Sequence, residues 1–219
     1  MRKLVIFLCF LASSTYGFAQ TKPVPQDATI SAVSFWNYSK CAAESAPERI
    51  RALLEHFPWT SADFEAARKF AVGRSNCLMP DDSLSFRSDV LQGAFSSVLL
   101  VRKYSGGAFP DFAQLPFAFG PEELADLEGD ARKRYISLAF GECVFRTNTA
   151  ATISVLSAEP FSAAETIAFS NLGPAMSACL PLQPGDQVKF TRPALRNFLA
   201  IAGYESDKRV PANPSGGVR

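Results

Sequence analysis

The sequence predicts an all-α protein, a tandem duplication of a four-helix unit in which each copy is closed by one disulfide. Three observations carry this expectation. The stretch from Cys41 to Leu78 returns 102 residues further on without a gap, so that Cys41 meets Cys143, Leu54 meets Leu156, Pro58 meets Pro160, Cys77 meets Cys179 and Leu78 meets Leu180. Apolar residues in both copies recur at the spacing of amphipathic helices. The repeated stretch carries one cysteine at its start and one next to its end in both copies, an even set suited to an oxidising compartment.

Residues 1–19 have the marks of a secretory signal peptide. Arg2 and Lys3 precede an apolar run from Leu4 to Leu11, too short to span a bilayer, and small residues lead to Ala19. Cys9 lies inside that run and goes with it. Residues 20–29, with two prolines, read as an extended leader. The first copy, 30–104, opens with a helix from Ile30 into Cys41. Pro47 starts a second, where its missing N–H costs nothing, and Pro58 ends it after Phe57. Thr60-Ser-Ala-Asp63 is a weak capping box for the third, which runs to about Val72 with Gly73 as its stop. The fourth, Asp89 to Tyr104, is apolar nearly all round, as suits a helix buried between the copies.

Residues 105–130 form a Phe-rich connection and the start of a charged linking helix, Glu122 to Arg134. The second copy, 131–204, follows. Arg132 to Arg146 is its first helix, Asn148 or Thr149 caps its second, and Pro160 ends that one. Ser162-Ala-Ala-Glu165 is the clearest capping box in the chain. The helix it opens should reach about Leu172 and stop at Gly173-Pro174. A fourth helix covers Pro193 to Tyr204, and 205–219, with Pro211, Pro214 and a Gly-Gly, read as a disordered tail.

Composition narrows the partners. The chain has 22 Lys+Arg against 21 Asp+Glu, and losing Arg2 and Lys3 with the signal peptide takes the formal charge from +1 to −1. Such neutrality gives no reason to propose nucleic acid or an anionic membrane as partner. No mature segment approaches the ~20 apolar residues of a membrane span. Three pairings of Cys41, Cys77, Cys143 and Cys179 are possible. The within-copy bonds Cys41–Cys77 and Cys143–Cys179 are favoured, because duplication copies a closed bond as a unit. With one histidine and no CxxC, nothing marks a metal site or a cofactor.

At Phe140-Gly-Glu-Cys143-Val-Phe-Arg146, at Pro160-Phe-Ser-Ala-Ala-Glu165, and at Cys179-Leu-Pro with Leu195-Arg196, the chain resembles a group of short exported proteins of sphingomonad-type bacteria. The first copy departs from that pattern, with Ser39-Lys40 in place of Gly-Glu and Gln92 in place of the arginine. The resemblance implies a Gram-negative exported protein, periplasmic or secreted. It brings no activity and no functional residues.

The candidates for chemistry are few. His56 is the only imidazole and so the first candidate for a general base, but a place at a helix end is the reading preferred for it. Ser75 and Ser177 match between copies but lack a GxSxG elbow, and a turn or cap explains both. Asp63 and Glu165 are accounted for by capping, and Asp81-Asp82 by a solvated loop; Glu142 completes the carboxylates an acid-pair hydrolase would need. Phe109, Phe112, Phe117 and Phe119 either anchor a partner or pin the two copies together. The reading drawn from these is a non-enzymatic exported module that binds a protein, a peptide or an apolar ligand, without catalytic residues. An envelope hydrolase using carboxylates or a serine and a purely structural envelope protein are the alternatives.

Overall fold

A computed structural model describes residues 26–73, 75–77, 87–180 and 190–211, which form eight α-helices and no strand. The expected signal peptide of residues 1–19, most of the expected leader, Asp81-Asp82 and the last eight residues lie outside the described residues. The N-terminal half holds α1 (Gln26–Ser45), α2 (Pro47–Leu54), α3 (Ser61–Val72) and α4 (Ser88–Tyr104). The C-terminal half holds α5 (Gly129–Thr147), α6 (Thr149–Ser157), α7 (Ala163–Cys179) and α8 (Arg192–Asp207).

Local chemistry sets most of these boundaries. Pro47 occupies the first turn of α2. Thr60 and Asp63 form a complete capping box at α3, each side chain taking the other residue's backbone N–H. Asn148 caps α6 and Thr191 caps α8 through their side-chain oxygens.

Four expectations need correction. The leader does not extend to residue 29, because α1 already begins at Gln26, one residue past the last proline that would oppose it. The linking helix Glu122 to Arg134 is broken: Glu122–Leu124 is a single 3-10 turn, and Gly129, at φ 54°, opens α5 separately. The third helix of the C-terminal half does not stop at Gly173-Pro174. Instead α7 carries Pro174 inside it and ends at Cys179, with Leu172 and Ala175 buried on either side of the proline. The tail does not start at 205, since α8 continues to Asp207 and buries Glu205 and Ser206. Arg209 then folds back to donate to the Glu205 carbonyl at 2.9 Å, satisfying an orphan acceptor of the helix end.

Disulfides join Cys41 to Cys77 and Cys143 to Cys179, each across a sequence separation of 36. Each therefore ties the first helix of a half to the end of its third-helix segment. The most extensive helix contact is between α4 and α8, and α8 also lies along α5. These helices approach closely because glycine stands at the crossings. A Cβ on Gly141 of α5 would meet the Phe198 carbonyl oxygen of α8 at 2.8 Å. The largest apolar cluster draws on both halves, with Phe35, Tyr38, Leu91, Phe95 and Leu100 packed with Phe145, Leu156 and Tyr204. A second cluster, around Phe140, Phe169, Leu172 and Leu199, belongs to the C-terminal half alone.

Candidate functional site

Of the three buried carboxylates of the C-terminal half, Glu142, Glu165 and Glu205, the first two are each paired with an arginine. Glu142, fully buried on α5, accepts from the backbone N–H groups of Ala118 and Phe119, both at 2.8 Å, and from the Ser206 hydroxyl at 3.1 Å. Arg146, one turn on, pairs with it at 3.2 Å and donates to the carbonyls of Ala113 and Leu115. The guanidinium also lies 3.9 Å from the ring centre of Phe117. Tyr135 completes this stitching by donating to Gly120 O, while burial, reinforced by its bond to Glu123, pushes the phenol pKa up. Together Glu142, Arg146 and Tyr135 hold the Phe-rich connection onto α5.

Glu165, 2% exposed, is the second. Its Oε1 pairs with Arg196 at 3.0 Å, and its Oε2 accepts from the Phe161 N–H at 2.7 Å. Ser162 caps α7 as expected, but Glu165 does not reach back to the cap residue's own N–H. Phe161 adopts φ 62°, a left-handed conformation that bulky residues seldom take, and this aims its N–H rather than that of Ser162 at the carboxylate. Arg196 also donates to the carbonyls of Val155, Leu156 and Ala158, closing the end of α6. Burial lowers its pKa, and Glu165 opposes that shift. Both oxygens of each carboxylate are thus taken up by partners within the fold.

The remaining candidates are dispersed. His56 lies beyond the end of α2 with its side chain 72% exposed, 3.4 Å from Asp63, whose pKa is lowered chiefly by the Thr60 hydroxyl. Ser177 is exposed on α7, and the Asp81-Asp82 pair falls outside the described residues. Among the described residues no group of three or more His, Cys, Asp or Glu could hold a metal ion, and no helix is long and apolar enough to cross a membrane. The four phenylalanines divide. Phe112 is buried edge-on against Phe145 at 4.7 Å, Phe119 packs between Phe57 and Tyr135, and Phe109 leans on Tyr104. Phe117 alone is mostly exposed, at 57%.

What the structure opens lies elsewhere. A cleft of about 400 Å³ runs between α1, α4 and the end of α6. One face of α1 supplies Trp36, Lys40, Ala43 and Glu44, at the i, i+4, i+7, i+8 spacing of a single helical stripe. Val98, Val101 and Leu156 form the apolar floor, and Arg102 stands on the rim. Lys40 lies 4.3 Å from the Trp36 ring centre, and the Ser97 hydroxyl meets the Leu156 carbonyl at 3.5 Å. Among the described residues Lys40, Glu44 and Arg102 form no ion pair; Arg102 has only a long bond to Ala43 O, 3.5 Å. The volume is within the range of ligand sites, and the mix of an apolar floor with a few polar groups is their usual lining. Reasoning from sequence missed this cleft because the apolar surface of α4 reads as core whether it meets another helix or an opening. The stripe Trp36, Lys40, Glu44 was the available signal.

No protein-family model matches the chain, and neither does any curated protein or solved structure.

Proposed function

We propose that this chain is an exported, non-enzymatic binding protein whose site is the cleft between α1, α4 and α6. The cleft is the observation that carries the reading: it combines apolar walls with an aromatic side chain and with Lys40 and Arg102, which form no ion pair among the described residues. The saturated networks around Glu142 and Glu165 weigh against an acid-pair hydrolase, which needs two carboxyls facing one space. The disulfides fit an oxidising compartment, and with the signal-peptide features of residues 1–19 they support export to the periplasm or beyond. The register of the two halves, with matching cysteine separations and helix order, supports descent from one duplicated four-helix unit. It also fits the resemblance to short exported sphingomonad-type proteins.

The test uses Trp36 as reporter. In a Trp59→Phe background, titration with the apolar dye 8-anilinonaphthalene-1-sulfonate should quench or shift Trp36 emission with saturation. Val98→Phe, which fills the floor, should remove that response while the thermal midpoint stays near that of the parent. A dye that saturates the protein equally in both forms, or leaves Trp36 unchanged, sinks the assignment.

A further inference from the structure

The cleft has an occupied counterpart in the same molecule. Moving 102 residues along the chain carries Trp36 to Leu138, Lys40 to Glu142 and Glu44 to Arg146. With the two-residue shift that aligns Leu91 with Leu195, Ser97, Val98 and Arg102 on α4 correspond to Ile201, Ala202 and Ser206 on α8. In the C-terminal half these positions enclose part of the Phe-rich connection. Phe119 is buried in a cluster with Leu138, Ile201 and Ala202, Glu142 and Ser206 hold one another and the amides of Ala118 and Phe119, and Arg146 takes the Phe117 ring and the carbonyls before it. In the N-terminal half the corresponding side chains line open space.

We infer that the α1/α4/α6 cleft binds an extended peptide segment bearing an aromatic side chain, in the manner in which α5 and α8 hold residues 117–119. The inference rests on the binding reading above and names the class of ligand. The difference in charge says how the peptide is read. Glu142 takes backbone N–H groups; Lys40 and Arg102 at the open site are donors, and so seek backbone carbonyls or a terminal carboxylate. Glu44, where Arg146 stands in the other half, is left to take an N–H of the same segment. Trp36 and Val98 give the aromatic side chain its apolar seat, as Leu138 and Ala202 do for Phe119.

The probe is the hexapeptide Leu-Pro-Phe-Ala-Phe-Gly, the sequence of residues 115–120, acetylated and with a free carboxylate. Binding to the oxidised Trp59→Phe protein is followed by Trp36 emission and by isothermal titration. Saturable binding is expected, with about a tenfold loss for Lys40→Gln/Arg102→Gln, the scale of two exposed charge contacts. Replacing both probe phenylalanines by glycine, or filling the floor with Val98→Phe, should abolish it. Dye binding without any peptide response would overturn the peptide assignment and leave the binding reading standing. Neither dye nor peptide binding would overturn both. Peptide binding that ignores both the glycine replacement and the charge-neutral variant would mark non-specific adhesion and overturn the inference as well.

Discussion

Positions 40 and 44 on α1 and positions 142 and 146 on α5 are separated by the same 102 residues and do opposite things. On α5 they are a buried pair, Glu142 and Arg146, with side chains 0% and 8% exposed, and they fasten a loop. On α1 they are Lys40 and Glu44, both exposed on the rim of a cleft. The contrast teaches that a groove beside the first and fourth helices of a half can be filled by the chain, as beside α5 and α8, or left open, as beside α1 and α4. Where the chain fills it, ionic groups are drawn in to satisfy the backbone of the filler, since an extended segment brings amides that no helix ladder can serve. Where it stays open, the same positions remain hydrated and carry little stability.

The largest effects should come from breaking the filled side. Glu142→Ala leaves the amides of Ala118 and Phe119 without their acceptor and the Arg146 guanidinium without its counter-charge in a buried place, and should cost about 3–5 kcal/mol. Lys40→Ala should stay within about 0.5 kcal/mol. Urea unfolding of the two variants, read by circular dichroism, checks the contrast; equal losses would show that the two grooves do not differ in kind. The disulfides offer a control on this asymmetry. Both close loops of the same separation, 36 residues, so the chain-entropy contribution is about 4 kcal/mol for each. Replacing Cys41 and Cys77 by serine, or Cys143 and Cys179, should lower the urea midpoint by similar amounts. A markedly larger loss in one half would locate the asymmetry in the disulfide-closed segments rather than in the grooves.

A smaller effect distinguishes the helix contacts. Gly141 and Ser39 also correspond at 102 residues. Alanine at 141 would put a methyl against the backbone of Phe198, which cannot turn aside, and overpacking of this kind costs about 1–3 kcal/mol. Ser39 is buried, and among the described residues its hydroxyl bonds within its own helix, to Phe35 O at 2.8 Å, so Ser39→Ala should be nearly neutral. Thermal unfolding of both variants makes the comparison.

How far the sequence could be read followed from where each group finds its partner. The within-half disulfides and the Pro47 start of α2 were legible because they depend on spacing and on residues close in the chain; the expected stop at Pro58 was not, since α2 ends at Leu54, four residues earlier. The capping residues show the boundary. Thr60-Ser-Ala-Asp63 looked the weaker box and is the complete one, since nothing else claims Asp63 but an exposed histidine. Ser162-Ala-Ala-Glu165 looked the stronger, yet Glu165 is taken by Arg196, 31 residues away, and by the left-handed Phe161. Pro174 likewise read as a stop, but the disulfide to Cys143 lies beyond it at the end of the helix that carries it. The cleft was hidden for a related reason. An apolar residue facing an opening and one facing another helix are alike in sequence, and only the position of α6 against α4 decides between them.

The smallest prediction concerns pH and the two fourth helices. Glu205 on α8 corresponds to Val101 on α4, which lines the open cleft. Burial raises the pKa of Glu205 above the ordinary carboxylate value, and the bond to Lys208 at 2.8 Å offsets this only in part. Its folded form therefore holds a proton more tightly than its unfolded form. The charged carboxylate opposes folding as pH rises from the ordinary glutamate range through the raised value, and the opposition disappears below that range. Glu205→Gln should thus raise the thermal midpoint slightly near neutral pH and change it little at pH below the glutamate range. Asp63 has the opposite sign: its lowered pKa means that stability is lost on acidification, so Asp63→Asn should narrow the acid-side decline. Midpoints measured from neutral to acid pH for both variants should therefore diverge in opposite senses from the parent, and parallel curves would show that burial does not govern Glu205.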